Sequence, residues 1–336
     1  MKICVVGAGA IGGLLAVRLA EAGEQVTVVD QGAHLEAIQR AGLKLVMADG
    51  SEHVARSLEA TADMRDPGPQ DVVIIAVKTH SLAEVASGLV SLMGNDTVIV
   101  PMQNGLPWWY FHKHGGEHDG RSIECLDPDG RLAAHVDVDR VIGCVVYPAG
   151  EIASPGVVRH TEGNRFPLGE LDGSDSARAH ELADMFIRAG FKSFVLDDIR
   201  GEIWLKLLGN LSFNPISALT HATLVDICRY APSRALAVTM MEEAQAVANH
   251  LGITLRVSIE KRVEGAERVG KHKTSMLQDV EAGRRLELEA IMGAVVELAR
   301  VTGIATPAID AIYALTKLLD ETMREDHGAL QLRRIA

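Results

Sequence analysis

The chain has 336 residues, 47% of them hydrophobic and 23% charged, enough apolar sequence for a sizeable core, and its length favours two domains over one. The formal net charge of −12 would repel a polyanion, so nucleic acid is not an expected partner. No window reaches the roughly 18 uncharged apolar residues that a membrane helix needs, so a membrane is not expected either.

The cysteines and the amino-terminal segment indicate the cellular compartment in which the protein is expected. The 4 cysteines are scattered without CxxC spacing, which is typical of a reducing cytoplasm and argues against a disulfide framework and a thiolate metal site. The apolar stretch after Lys2 is broken by glycines and continues into Arg18 and Glu21, unlike a signal peptide. We therefore expect a soluble, cytoplasmic protein.

The first predicted element is a strand, Met1 to Val6, that runs into a GxGxxG motif and an alanine-rich helix. In such a motif the first glycine permits a tight turn, the second lets a pyrophosphate approach the backbone, and the third lets the helix pack on the strand. The helix N-terminus then meets the anion with unpaired N–H groups. A structural glycine-rich turn is the alternative. The predicted cofactor-binding residues here are Gly7, Ala8, Gly9, Ala10, Ile11 and Gly12.

The second predicted strand, Val26 to Val29, ends in Asp30 and Gln31. An acid about 20 residues after a glycine motif is the residue that accepts hydrogen bonds from the ribose of a dinucleotide. We therefore include Asp30 and Gln31 among the predicted cofactor-binding residues.

Apolar strands and helical stretches continue to alternate up to residue 198. Asp71 to Val77 and Thr97 to Val100 are continuous apolar runs of the kind buried on both faces of a parallel sheet. The pattern predicts an α/β Rossmann domain at 1–198 with a doubly wound, mostly parallel sheet. Its later predicted strands are 141–147, 157–160, 166–168 and 191–196.

From Ile199 the periodicity is almost wholly helical to about Met323. It predicts an all-α carboxy-terminal domain at 199–336. The predicted boundary lies near Asp198, and the residues from Arg324 onwards are expected to form a polar, frayed tail.

Polar residues that directly follow apolar strands are candidates for ligand contacts, because open α/β sheets bind ligands beyond the carboxyl ends of their strands. Lys78 follows the strand at 71–77, and Asn104 follows the strand at 97–100. A solvated strand-end lysine and a turn asparagine are the alternatives.

The helical half contains one stripe of polar residues. At about 3.6 residues per turn, Lys206, Asn210 and Asn214 lie within an arc of about 80°, among neighbours that are nearly all apolar. We infer that they line a cavity or cleft, with a structural polar network as the alternative. Pro215 predicts a kink beside the stripe.

A further candidate cluster combines Ser275 with Glu287. On the helical pattern that follows, Glu287 shares a face with Ile291 and Leu298, so its carboxylate is predicted to be ion-paired or functional. Glu289 points away from that face and is expected to be solvated.

Together these residues resemble the ketopantoate reductase (2-dehydropantoate 2-reductase) family over nearly the whole chain. The resemblance rests on the glycine motif, Val-Lys-Thr at 77–79, Gln-Asn-Gly at 103–105, Lys-x3-Asn-x3-Asn-Pro at 206–215, and Ser-Met-Leu-Gln-Asp at 275–279 with a glutamate beyond it. It implies a Rossmann domain joined to a helical domain. It also implies hydride transfer from NAD(P)H to the 2-keto carbon of ketopantoate, which gives pantoate for pantothenate synthesis.

The resemblance implies roles for individual residues. Lys206 resembles the family's catalytic lysine, which would hydrogen-bond the keto oxygen and stabilise or protonate the developing alkoxide. Glu287 resembles the catalytic acid that holds this lysine and a substrate hydroxyl. By the same resemblance, the residues that orient the substrate are Asn210, Asn214 and Ser275, and those near nicotinamide and substrate are Lys78 and Asn104.

Two single positions depart from the family's pattern. Where the family commonly has an arginine for the 2′-phosphate of NADPH, this chain has Asp30, which would accept from a ribose 2′-OH and repel a phosphate. The residue therefore favours NADH, whereas the resemblance favours NADPH. His272 replaces an asparagine that is often found three residues before the serine.

An insert at about 107–140, longer than the family minimum, is a third departure. We expect its aromatic residues to form a packing or subunit-contact patch, with a lid over a bulkier substrate as the alternative. Its histidines suggest a metal site, which we disfavour because no carboxylate or cysteine completes a ligand set. These residues are Trp108, Trp109, Tyr110, Phe111, His112, His114 and His118.

Other functions stay open at this point. His272 and the aromatic insert are compatible with reduction of a different branched or aromatic 2-keto acid. A dinucleotide-binding sensor without turnover is the alternative outside enzymes. The expected partner is a small-molecule 2-keto acid, and a homodimer is an open alternative.

Overall fold

The structure, a computed structural model, describes residues 1–332. These residues form two compact units. The first comprises Met1–Gln103, Phe111–Ser122 and Asp127–Ile199, and the second comprises Asn104–Tyr110, Ile123–Leu126 and the chain from Arg200 onwards. Two short segments of the predicted insert therefore cluster with the second unit, which the sequence pattern does not indicate.

A five-stranded parallel sheet lies at the centre of the first unit, in the order β5-β2-β1-β6-β7. Its strands are rich in valine and isoleucine, and β1 is flanked by β2 and β6, so its side chains from Ile3 to Val6 are buried. The predicted parallel sheet of the Rossmann domain is thus confirmed. The strands are β1 (Lys2–Val6), β2 (Gln25–Val29), β3 (Leu43–Val46), β4 (Glu52–Ala55), β5 (Glu59–Thr61), β6 (Gln70–Ile75), β7 (Met93–Pro101), β8 (Gly143–Cys144), β9 (Ala149–Ser154), β10 (Val157–Glu162), β11 (Arg165–Gly169) and β12 (Lys192–Val195).

The remaining strands of this unit form two smaller mixed sheets, β4-β3-β10-β9 and β12-β11-β8. The strand predicted at 141–147 is wrong in extent, because regular pairing there covers only Gly143–Cys144. The strands β3, β4, β5 and β9 have no counterpart in the prediction. They are short, and β9 is half-buried or exposed throughout, so its sequence has no apolar alternation to detect.

The helices of the first unit follow the predicted alternation. The first, α1, begins at Ala10 inside the glycine motif, with Gly9 as its N-cap. The fifth, α5, is capped by Ser176, whose hydroxyl accepts the Ala179 N–H. The helices are α1 (Ala10–Glu21), α2 (Gly32–Ala41), α3 (Leu82–Leu89), α4 (Arg131–His135) and α5 (Ala177–Arg188).

The second unit is helical, as predicted, and its first helix is the longest. That helix contains Pro215 and continues beyond it to Thr220. The last helix ends at Glu325, so the tail predicted from Arg324 begins later, and residues 333–336 lie outside the described residues. The helices are α6 (Ile199–Thr220), α7 (Leu224–Arg229), α8 (Ala231–His250), α9 (Ile259–Val269), α10 (Ser275–Glu281), α11 (Ala294–Thr302) and α12 (Pro307–Glu325), with a π-helical turn at Glu289–Gly293.

The helices of residues 1–332 differ from membrane-spanning helices. Within residues 1–332, none combines the length with the apolar character that crossing a bilayer requires.

Candidate active site

Two of the three motif glycines are required by the fold of the loop itself. Gly7 has a φ of +96°, a conformation that side chains other than glycine's rarely adopt, and a Cβ there would press on Val77. A Cβ at Gly12 would overlap the carbonyl group of Gly7. The first glycine therefore makes the turn, and the third lets α1 pack against the loop.

Gly9, the middle glycine, is not required by the protein. Its φ of −62° is ordinary for any residue, and a Cβ built on it meets no atom within 4 Å. The space beside Gly9 is open at the N-terminus of α1, where no side chain caps the helix. A loop of this kind, with open space where a Cβ would stand, fits the pyrophosphate of a dinucleotide.

Asp30 lies at the end of β2 and is bound to the same loop. Its carboxylate accepts the N–H groups of Ala8 and Gln31, each at 2.7 Å. The Asp30 N–H donates to the Thr61 carbonyl on the neighbouring strand β5, at 3.1 Å. The acid predicted from sequence spacing is therefore held against the glycine loop.

The loop that follows β5 adds further acids at this edge of the sheet. Asp63 accepts hydrogen bonds from Arg65, and Asp66 accepts the Thr61 hydroxyl proton at 2.5 Å. Hydrogen bonds from Arg65 lower the pKa of Asp63 to about 2. The single cation of this loop is thus engaged by an acid of the same loop.

The other strand-end candidates of the first unit lie after β6 and β7. Lys78 is half-buried and precedes a short 3₁₀ turn, Thr79–Ser81. Gln103 donates to the carbonyl groups of Ile75 and Val77, both at 2.9 Å. These bonds hold the residue before Asn104 on the end of β6.

In the second unit, Lys206 and Asn104 are brought together. The Lys206 ammonium donates to the Asn104 carboxamide oxygen at 2.6 Å, across 102 residues of sequence. Both side chains are half-buried. A cation is costly to desolvate without such an acceptor, so this contact marks a polar site in a helix whose other residues are largely apolar.

Asn104 is held by close packing of the next residues on the π-helical turn. Leu106 donates its N–H to the Ala290 carbonyl at 2.8 Å. Gly105 has a φ of +87°, and a Cβ there would overlap the same carbonyl group. The turn at Glu289–Gly293 therefore forms the surface on which the segment after Asn104 is fixed, and π-helical turns are frequent at functional sites.

The two asparagines of the stripe follow Lys206 along α6. Asn210 is half-buried and Asn214 is only 6% exposed. Asn214 lies two turns after Lys206 on α6. Both carboxamides can donate and accept hydrogen bonds, so they are suited to contact the polar groups of a ligand.

Ser275 and Glu287 lie at the ends of helical segments. Ser275 is exposed at the first residue of α10, which Thr274 caps by accepting the Leu277 N–H. Glu287 is half-buried in an irregular segment before the π-helical turn. Its predicted place on a continuous helical face is therefore wrong, since that face starts only after it and the π turn shifts the register.

The Glu289 side chain is 34% exposed, which agrees with the predicted solvation, but it also has two protein partners. Its carboxylate accepts the Tyr313 hydroxyl proton at 2.7 Å and a Lys317 N–H at 3.1 Å. Burial and the adjacent carboxylate raise the pKa of Tyr313 to about 12. Gly293 leaves room for this network, because a Cβ there would overlap the Glu289 carboxylate.

The aromatic residues at the start of the insert are core residues. Trp108, Trp109, Tyr110 and Phe111 are all buried. The Tyr110 hydroxyl accepts the Trp204 indole N–H at 2.8 Å, and its carbonyl accepts an Arg200 N–H at 2.8 Å. Packing, rather than an exposed contact patch, accounts for them, and the sequence had given no sign of the Arg200 contact.

The histidines of the insert contact an acid and an aromatic ring. His112 contacts Asp139 at 3.0 Å, and hydrogen bonds from Lys113 and His112 lower the pKa of Asp139 to about 2. The His114 and His118 rings lie against Phe111. Within residues 1–332 no three potential ligands are grouped as a metal ion would require.

Comparison with known proteins identifies the family. Models of the ketopantoate reductase PanE/ApbA family match residues 3–173 and, for its carboxy-terminal part, residues 198–320. The chain belongs to the ketopantoate reductase family. A 2-dehydropantoate 2-reductase of Mesorhizobium japonicum is 50% identical over 320 residues, which are 95% of this chain and 98% of the relative.

Solved structures of other proteins have the same architecture. The 2-dehydropantoate 2-reductase of Geobacter metallireducens superposes with a TM-score of 0.83 at 28% identity, covering 95% of this chain and 99% of that one. D-mandelate dehydrogenase in complex with NADH and anilino(oxo)acetate shares the fold, with a TM-score of 0.82 at 22% identity over 96% and 99% of the two chains. As a ketopantoate reductase family member, the chain is an NAD(P)-dependent oxidoreductase.

Proposed function

We propose that this protein reduces 2-dehydropantoate to pantoate with a reduced nicotinamide dinucleotide, as a step of pantothenate synthesis in the cytoplasm. The observation that carries the proposal is the half-buried Lys206 ammonium, held at 2.6 Å by Asn104 within the family's lysine motif. The Mesorhizobium japonicum relative with this activity covers nearly the whole chain.

Lys206 acts on the keto oxygen of the substrate. When bound, the reduced nicotinamide supplies the hydride. As charge develops on the oxygen, the ammonium stabilises it by a charge-assisted hydrogen bond and then donates the proton. Asn104 is neutral, so it orients the Lys206 ammonium without cancelling its charge.

The polar residues along α6 and beyond orient the rest of the substrate. Asn214 is buried two turns after Lys206 on α6, and its carboxamide is proposed to bind a substrate hydroxyl or carboxylate. Asn210, Ser275 and Glu287 are proposed to bind the same groups, with Glu287 also holding Lys206. Such positioning is most of what a ketone reduction asks of the protein.

The dinucleotide is proposed to lie on the glycine loop, with its pyrophosphate beside Gly9 and its nicotinamide near Lys78. We further propose that NADH is preferred over NADPH. Asp30 suits a ribose diol, and the acids of the loop after β5 would repel a 2′-phosphate. The Arg65 of that loop is already engaged by Asp63.

Steady-state oxidation of NADH and NADPH with 2-dehydropantoate tests both the proposed substrate and the proposed cofactor preference. We expect turnover with both cofactors and a higher kcat/KM with NADH. The Asp30→Asn variant keeps an oxygen that accepts the Ala8 N–H but removes the charge. It should narrow the NADH preference by about tenfold, the scale of one charge contact near a surface.

The outcomes are distinguishable. An equal or higher kcat/KM with NADPH would overturn the cofactor preference and leave the reductase proposal in place. If the protein binds a dinucleotide but does not turn over 2-dehydropantoate, the proposed substrate is wrong. A panel of branched and aromatic 2-keto acids then tests the second candidate, which His272 motivates. A sensor would turn over none of them.

A further inference from the structure

A histidine outside the glycine motif contacts the loop from α2. The His34 ring places Nε2 at 2.9 Å from the Ala8 carbonyl oxygen and Nδ1 at 3.1 Å from the Gly156 amide nitrogen. Ala8 is fully buried and is the second residue of the motif. His34 therefore links the dinucleotide loop to a turn that lies more than a hundred residues later in the sequence.

The two hydrogen bonds assign the tautomer of the imidazole. A backbone N–H only donates, so Nδ1 accepts from Gly156 and carries no proton. Nε2 must then carry the proton and donate it to the Ala8 carbonyl. The His34 ring is thus held as the neutral Nε2–H form, with one atom for each contact.

Ala8 is held at both of its backbone polar groups. Its N–H donates to Asp30 at 2.7 Å, and its carbonyl accepts from His34. That carbonyl belongs to the peptide group that also contains the Gly9 N–H. Because a peptide group is planar, fixing the oxygen on one side fixes the direction of the N–H on the other. His34 therefore sets the orientation of the amide beside the open space at Gly9.

The other partner of His34 is itself rigid. Gly156 lies in the turn between β9 and β10, with a φ of +75°, and a Cβ there would press on Ala37 of α2. Its carbonyl accepts the Lys44 N–H at 2.9 Å. The turn is thus fixed by β3 and packed on the helix that carries His34, so the Nδ1 contact holds the ring in place.

We propose that His34 is a positioning residue for dinucleotide binding, which orients the Gly9 amide through its hydrogen bond to the Ala8 carbonyl. The inference rests on the proposed dinucleotide-dependent function and adds a residue outside the glycine motif. It makes the geometry of the loop a property of the unliganded protein, set before any dinucleotide arrives.

Two substitutions separate the two ring nitrogens. His34→Gln keeps an N–H near the position of Nε2, and His34→Asn keeps an acceptor near the position of Nδ1. We expect His34→Asn to weaken NADH binding about tenfold, the scale of one hydrogen bond, while His34→Gln binds within about twofold of wild type. The measurement is the dissociation constant of NADH by titration calorimetry, with thermal unfolding to establish that each variant is folded.

Amide hydrogen exchange of the unliganded protein gives a second readout. The Ala8 and Gly9 amides should exchange faster in His34→Asn than in wild type or His34→Gln. Equal NADH affinity and equal exchange in all three proteins would overturn the inference, as would equal losses in both variants. If wild-type protein binds neither dinucleotide, the proposed function fails, and the exchange comparison still decides whether His34 orients the loop.

Discussion

The glycine loop of the first unit and the Lys206 site of the second are built in opposite ways. The loop presents backbone groups from six consecutive residues, and its main side-chain contacts come from Asp30 and His34. The Lys206 site combines side chains that are far apart in sequence, since Asn104 lies 102 residues before Lys206. A backbone site is encoded locally, whereas a side-chain site depends on tertiary packing.

This difference decides how each site should respond to substitution. In the loop, a side chain does harm by occupying space that the ligand needs, without disturbing the fold. In the Lys206 site, removal of a side chain takes away a chemical group, and displacement of its supports moves that group. Substitutions in each site, with matched controls, should separate these effects.

The largest effect is expected for Lys206→Ala. Loss of the group that stabilises and protonates the developing alkoxide should lower kcat by about 10³-fold or more. The dissociation constant of NADH should stay within about twofold of wild type, because the substitution leaves the backbone site of the first unit intact. Single-turnover kinetics and calorimetric titration measure the two quantities.

Lys261→Ala is the matched control, since Lys261 is exposed on α9 and should change neither quantity. If Lys206→Ala turns over substrate at the wild-type rate, Lys206 does not take part in the chemical step. A parallel loss of NADH binding would show that the two sites are not separable in the way the comparison requires.

The next largest effect is expected for Gly9→Ala. A Cβ there meets no protein atom within 4 Å, so the variant should fold with unchanged stability. It should bind NADH about tenfold or more weakly, because the Cβ stands where the pyrophosphate approaches the backbone. If the affinity for NADH is unchanged, the pyrophosphate does not bind beside Gly9.

Gly265→Ala provides the control for Gly9→Ala. A Cβ at Gly265 also meets no atom, and the residue lies inside α9 without a positive φ. Replacement of a helical glycine should stabilise the protein by about 0.5–1 kcal/mol and leave NADH binding unchanged.

A third effect is expected for Gly105→Ala, which tests the support of the side-chain site. The variant combines a φ of +87° with an overlap on the Ala290 carbonyl, so the free energy of unfolding should fall by about 1–3 kcal/mol. Displacement of Asn104 should also lower kcat about tenfold, the scale of one weakened contact to Lys206.

Gly303→Ala separates the two contributions to the Gly105 effect. Gly303 has a φ of +69° in the same unit, but a Cβ there meets no atom within 4 Å. It should lose about 1 kcal/mol of stability and no activity. If Gly105→Ala behaved in the same way, the packing on Ala290 would have no part in holding Asn104.

The same contrast explains what the sequence could and could not predict. The glycine loop and Asp30 were found because spacing over about 20 residues carries the signal. The stripe on α6 was found because helical periodicity places its members on one face. Its partner Asn104 was named only as a separate candidate, since nothing in the sequence pairs residues 102 apart.

The errors of the sequence analysis also arise from features that local sequence patterns do not encode. Glu287 was assigned to a helical face that the π-helical turn at Glu289–Gly293 interrupts, and a π turn leaves no mark on apolar spacing. The contacts of Glu289 were missed because its partners, Tyr313 and Lys317, lie on another helix. Tertiary contacts of this type lie outside any local pattern.

The smallest effect is expected for an ion pair of the first unit that takes part in neither site. Glu170 accepts hydrogen bonds from Arg178 at 2.6 Å and from Ser176 at 2.6 Å. Burial opposes ionisation of the Glu170 carboxyl, but these hydrogen bonds outweigh it and lower its pKa. The pair therefore stabilises the fold at pH values above the ordinary glutamate pKa of about 4.3.

Because the pKa of Glu170 is lower in the folded protein, this stabilisation is lost as the pH falls through that lowered value. Arg178 is 35% exposed, so Glu170→Gln should lower the free energy of unfolding at pH 7 by only about 1 kcal/mol. Urea unfolding at pH 7 and at pH 3 should give a difference in the free energy of unfolding between wild type and variant that is smaller at the lower pH.

Since Glu170 belongs to neither site, kcat and NADH affinity should stay at wild-type values. A change in kcat or in NADH affinity would mean that a loss of stability alone can impair the sites. The loss of activity in Gly105→Ala could then also be explained by its lower stability.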